Sequence, residues 1–109
     1  MRTAKFADMY RGWFIGNFPK SAYKTKEFEV AAKEEKAGER VERHLHKIAT
    51  EITLVVKGRI RMNGKEFRTG DIIILEPGES SDYEALEETF TVIVKVPSAL
   101  KDKYYTDKK

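Results

Sequence analysis

A chain of 109 residues, 40% hydrophobic and 36% charged, has the length of one ordinary domain and enough apolar material for a single core. The absence of cysteine excludes disulfides, thiolate-held zinc, iron–sulfur clusters and thiol nucleophiles, so any bound metal is left to histidines and carboxylates. The net charge of +3 resides in the ends: residues 1–11 and 101–109 each carry a surplus of two cations, which leaves 12–100 at −1 and predicts no nucleic-acid partner.

In chain order, segments rich in Val, Ile, Thr, Phe and Tyr fall at 11–18, 26–34, 41–46, 50–57, 59–62, 65–68, 72–75, 80–86 and 89–96. Gly, Pro and Asn separate them in the rhythm of an antiparallel β-domain. The first, Arg11-Gly12-Trp13-Phe14-Ile15-Gly16-Asn17-Phe18, is the densest aromatic stretch and is expected to pack as an N-terminal strand on the body of the protein or on a second subunit. Lys33-Glu34-Glu35-Lys36 reads as a solvated charged turn. Asn63-Gly64, between alternating runs, is the residue pair that best tolerates positive φ at both turn positions, and the hairpin it predicts pairs Ile60 with Phe67 and Arg61 with Glu66.

Ile72 to Leu75 and Val92 to Val96 are apolar at nearly every position and are expected to be covered on both faces. Pro97 ends the last strand by removing a ladder donor, and the tail from Ser98 to Tyr105 has room for at most two helical turns, with Tyr104 and Tyr105 as anchors. No repeat or linker divides the chain. The expected organisation is a single domain over 1–109, with a core at about 26–96, an N-terminal strand arm at 1–25 and a basic tail at 98–109. No apolar run approaches the roughly 18 residues of a membrane span, and no leader pattern opens the sequence, which predicts a cytoplasmic protein with no membrane partner.

The two histidines stand as His44-Leu45-His46 in a predicted strand, where alternation sends both imidazoles to one face. Glu51 follows after four intervening residues, enough for a bend that returns its carboxylate beside them. Two imidazoles and a carboxylate suit borderline divalent ions such as Fe, Mn, Ni or Zn, and three ligands leave positions open for water, oxygen or a bidentate substrate. On a strand at 80–86, Ser81, Tyr83 and Ala85 face one side and Asp82 and Glu84 the other. Tyr83 is a secondary site candidate, as a hydrogen-bonding phenol or proton donor.

The spacing Gly38, five residues, His44, one residue, His46, four residues, Glu51, six residues, Gly58 resembles the first cupin motif at every defined position. Gly70-Asp71 leading through Ile72-Leu75 to Glu76-Pro77-Gly78 is similar to the opening of the second. That motif is degenerate: Glu76 stands where its first Pro is expected, Ser81 where its metal-binding His is expected, and Ala85 where its terminal Asn is expected. The resemblance covers about residues 26–96 and implies an all-β, double-stranded β-helix or jelly-roll barrel. It also implies a divalent metal ion held by His44, His46 and Glu51 in a barrel cavity, a small polar molecule as partner, and a homodimer. An enzyme built this way would be a metal-dependent isomerase, lyase or dioxygenase. Two alternatives stand beside it: a metal-free sugar-nucleotide isomerase or epimerase, since His44-Leu45-His46-Lys47 also looks like the HxHK stretch of cupin ketoisomerases, and a non-catalytic carbohydrate-binding or sensor module.

Overall fold

Alternation of inward and outward side chains along short strands organises the structure, a computed structural model that describes residues 1–106. Asp107 to Lys109, the end of the expected basic tail, lie outside the described residues. Ten strands follow in chain order: β1 (Trp13–Ile15), β2 (Glu29–Glu35), β3 (Arg40–Leu45), β4 (Thr50–Lys57), β5 (Arg59–Met62), β6 (Lys65–Arg68), β7 (Ile72–Leu75), β8 (Ser81–Ala85), β9 (Thr89–Val96) and β10 (Tyr104–Tyr105). They form two five-stranded antiparallel sheets, ordered β1-β2-β9-β4-β7 and β10-β3-β8-β5-β6. The only helical element among the described residues is a 3-10 turn at Phe6–Asp8, and no helix there is long and apolar enough to cross a membrane.

The Asn63-Gly64 hairpin forms with the expected register, Ile60 opposite Phe67 and Arg61 opposite Glu66. Both turn residues have positive φ. Ile60 is fully buried and joins Val55 and Met62 in the apolar core, against which Phe67, Ile73, Leu75 and Tyr83 pack. The other end of the space between the sheets is not filled by this cluster, and the candidate site lies there.

Four expectations are corrected. The first strand is shorter than 11–18 because its register shifts between Trp13 and Ile15 and the chain turns away at Gly16. Lys33 and Glu35 are not in a solvated turn: β2 runs through Glu35, and Lys33 is half-buried. The strand at 72–75 is covered on one face only, because the outer face of its sheet carries no second layer here among the described residues, leaving Ile72 62% and Ile74 56% exposed. The tail also departs from helix: Tyr104 and Tyr105 pair with Leu45 and His44 as β10, and the carbonyl of Arg43 accepts from the Thr106 N–H.

Gly38 and Gly58 bound the spaced motif and both have positive φ, +93° and +95°. A side chain at Gly38 would meet nothing, whereas at Gly58 it would collide with the Glu88 carbonyl oxygen and Thr89. Gly38→Ala should therefore cost about 1–2 kcal/mol, the penalty for an L residue in left-handed backbone. Gly58→Ala should cost clearly more, as urea denaturation would measure, and equal losses would show that the turn before β9 yields freely.

Candidate metal centre

His44 owes its inward aim to a local irregularity. Val41 and His44 both line the cavity although they are three residues apart, a separation that strict alternation does not allow. The β3–β8 register shifts between them, and the added residue restores the facing. The carbonyl of Glu42, inside this irregular stretch, lies 2.8 Å from His44 Nδ1 and accepts its proton. His46, just beyond β3, presents Nδ1 to the carbonyl of Asp102 at 2.6 Å. A carbonyl can only accept, so both rings carry a proton on Nδ1, and the Nε2 lone pair is what each ring in its neutral form offers.

Glu51 enters from β4, the neighbouring strand in sequence, with Oε1 2.9 Å from His46 Nε2. Ligand atoms of His44, His46 and Glu51 all lie within 4.8 Å of one another, and no further His, Cys, Asp or Glu joins this group among the described residues. The expected convergence of the three side chains is what the structure shows. Burial pushes the His44 imidazole below its ordinary value, so the ring is neutral at neutral pH. Burial alone would raise Glu51, but the His46 contact and the Lys95 charge outweigh it and hold the carboxyl below the usual range. A neutral His44 beside an ionised Glu51 matches the protonation states that a divalent cation requires of its ligands.

The contact between His46 and Glu51 sharpens that fit. With its proton on Nδ1, a neutral His46 turns a lone pair toward a carboxylate oxygen at 2.9 Å. Two acceptors at that distance repel unless a cation, either a proton or a metal ion, is shared between them. The donor set therefore fits a divalent metal.

These groups open onto a cavity of about 830 Å³, within the size range of small-molecule sites. Ser81, opposite His44 in the β3–β8 register, is buried and lines it, donating its hydroxyl proton to the Asp82 carbonyl. Asp82 is turned to the backbone N–H of Asn63 and to Arg43. Tyr83 lies one inward step from Ser81 and donates its hydroxyl proton to Glu35 Oε1 at 2.6 Å. Burial, then the hydrogen bond to Glu35 and its charge, push the phenol far above its usual value, so it stays protonated.

The residue that the sequence did not reveal is Asp102. It is buried, and its carboxylate accepts from the backbone N–H groups of Lys47, Ile48 and Ala49 at 2.9–3.1 Å, while its own carbonyl fixes His46. Burial would raise its carboxyl, but the three N–H donors and His46 hold it below the ordinary value. Tyr105 adds an edge-on contact with the His44 ring, centroids 6.0 Å apart.

No family model matches the sequence, and no curated protein matches it. Solved structures do. A conserved protein with a double-stranded β-helix domain from Klebsiella pneumoniae is 22% identical, with a TM-score of 0.69 over 77% of this chain and 74% of that one. An RmlC-like cupin from Shewanella frigidimarina is 20% identical, with a TM-score of 0.64 over 72% of each chain. The oxalate decarboxylase of Bacillus subtilis, an enzyme with Mn(II) centres, is 19% identical, with a TM-score of 0.62 over 74% of this chain and 24% of its own. The fold is thus the double-stranded β-helix of the cupins, as the motif spacing implied.

Asp102→Ala would strand three backbone donors and release the tail from His46. It should lower the unfolding free energy by about 1–3 kcal/mol, the usual loss when buried donors go unsatisfied, with Asp102→Asn losing less. Denaturation curves that superimpose on wild type would show that the tail adds nothing to the site's rigidity.

Proposed function

We propose that this chain is a metal-binding cupin that holds a divalent cation through His44, His46 and Glu51 and takes a small polar molecule into the adjoining cavity. The observation that carries the reading is the facing of His46 Nε2 and Glu51 Oε1 at 2.9 Å with the other ring nitrogen already committed. A divalent cation bound there would polarise an oxygen of the ligand and stabilise oxyanion charge, chemistry that serves isomerisation, elimination or oxygen insertion. The chain's own residues do the rest. The carbonyls of Glu42 and Asp102 hold the ring tautomers, Glu51 supplies the negative charge, and the Tyr83–Glu35 pair keeps a proton at Tyr83 Oη on the cavity wall. Manganese is the first ion to test, since a protein of the same fold has Mn(II) centres.

A second reading rests on the same contact. A proton shared by His46 and Glu51 would make them an acid–base pair, as a metal-free isomerase would use. Elemental analysis of untagged protein exposed to Mn, Fe, Ni and Zn separates the two. Wild type should hold near-stoichiometric metal, and His44→Ala and His46→Ala should each lose it. A wild type that stays empty with all four ions selects the metal-free reading.

The outer face of the first sheet supports a homodimer. Ile72, Ile74, Leu54, Val56 and Val96 are exposed, and β7 forms the sheet edge without a charge, proline or irregularity to block pairing. An unguarded apolar edge is self-complementary, and a second copy is the partner present at highest concentration. Light scattering should give a dimer for wild type and a monomer with unchanged metal content for Ile72→Lys/Ile74→Lys. A monomeric wild type would refute the interface.

A further inference from the structure

The cavity holds more cationic groups than its acids can neutralise. Each acid that lines it is already engaged. Glu29 accepts the Ser98 hydroxyl proton and faces Lys95 at 3.9 Å, Glu35 accepts from Tyr83, and Glu51 faces His46. Asp102 is saturated by backbone donors, and Asp82 is turned to Asn63 and Arg43. Lys33, by contrast, is half-buried on β2, lines the cavity, and makes no ion pair within 4.0 Å among the described residues.

Its ammonium rests instead on Trp13, 5.4 Å from the ring centre, and Lys95 approaches the same ring at 5.0 Å. Trp13 pairs with Ala31, midway between Glu29 and Lys33 on β2, and Lys95 lies opposite both Glu29 and Glu51 across β9. The indole thus gathers two lysines along one wall, and that wall runs to the carboxylate of the candidate metal centre. An aromatic face compensates a buried ammonium only in part. Burial pushes Lys33 below the usual lysine range; Glu35 opposes this, while Arg11, Lys95 and Lys103 add to it. A half-buried cation among other cations, with no carboxylate of its own, is stabilised by an anion brought from outside.

We propose that Lys33 and Lys95, gathered on Trp13, form a subsite for the anionic oxygen group of a small organic acid whose remainder extends toward His44, His46 and Glu51. The inference rests on the cavity reading above for where the ligand lies, but it does not require the metal. It makes the N-terminal arm, outside the spaced motif, a determinant of substrate class.

Trp13 is the chain's only tryptophan, so its selectively excited emission reports on this wall alone. The full-length protein would be titrated with malate, with inorganic phosphate, and with the neutral diamide of malate, with metal content measured on every sample. Saturable changes in Trp13 emission are expected with malate and not with the diamide. Lys33→Gln and Lys95→Gln should each weaken malate binding about ten-fold or more, the loss of one charge-assisted hydrogen bond, and Lys33→Gln, remote from the three candidate ligands, should keep wild-type metal content. A response to phosphate as strong as that to malate would support the subsite and widen it to phosphorylated acids. Silence toward both anions, equal binding of the diamide, or affinities unchanged in both lysine variants would overturn the proposal. A wild type without metal but with a Lys33-dependent malate response would uphold the subsite and overturn the metal reading alone.

Discussion

Both nitrogens of His46 are spoken for, one by a backbone carbonyl far along the chain and the other by a side chain close in sequence. The Asp102 carbonyl, 56 residues away in sequence, fixes the proton on Nδ1, and Glu51, five residues away, faces Nε2. That constraint decides what the site can be. Had the tail left Nδ1 free, the ring could donate from Nε2 and satisfy Glu51 as an ordinary hydrogen bond. With Nδ1 committed, satisfying Glu51 calls for a positive charge from outside the neutral ring, and the site is built around that requirement. The tail is held in turn by the Asp102 carboxylate on three consecutive backbone N–H groups, so the chain end and the loop after β3 fix each other.

This arrangement explains why the barrel is only part core. On β4 the inward row reads Glu51, Thr53 and Val55, passing from charge to apolar within one strand. Val55 joins Ile60 and Met62 at the filled end, whereas Glu51 lies across β9 from Lys95 and, beyond it, Glu29 at the open end. Burying such a row in a dry core would carry a desolvation penalty that its mutual attractions need not offset. Keeping it against a cavity lets water or a ligand solvate what the pairs do not. Tyr83 and Leu75, which touch both the core cluster and the cavity, mark the boundary between the two regimes.

Legibility in the sequence follows the range of each cause. The Asn63-Gly64 turn and its register depend on neighbouring residues only, and they were readable to the pair. Convergence of His44, His46 and Glu51 depends on alternation and one short bend, and it too was readable. The irregular stretch after Val41 that aims His44 leaves no pattern in composition, so strict alternation placed the imidazoles on one face without showing how they turn inward. Asp102 and β10 act across more than fifty residues, where a lone acid in a lysine-rich tail looks like any solvated charge. Lys33 is hidden for the same reason: its place in the charged run Lys33-Glu34-Glu35-Lys36 suggests solvent, and only the approach of Trp13 from β1 shows that it faces a cavity.

The apolar run at 72–75 poses the opposite problem. Four consecutive aliphatic residues signal burial on both faces, yet the inward pair, Ile73 and Leu75, has the core, while the outward pair has none of this chain against it. Neighbouring β4 repeats the pattern with Leu54 and Val56 outward, so the first sheet is more apolar on its outer surface at this edge than at its charged inner end. A lone barrel gains nothing from that distribution, because exposed aliphatic side chains at an unguarded edge favour association. Selection for a soluble monomer would place charges at positions 72 and 74, where they would touch nothing in the core. Their absence is the physical reason to regard the outer face as part of the fold's buried surface in the proposed dimer, and the sequence signal at β7 as a statement about the pair of chains.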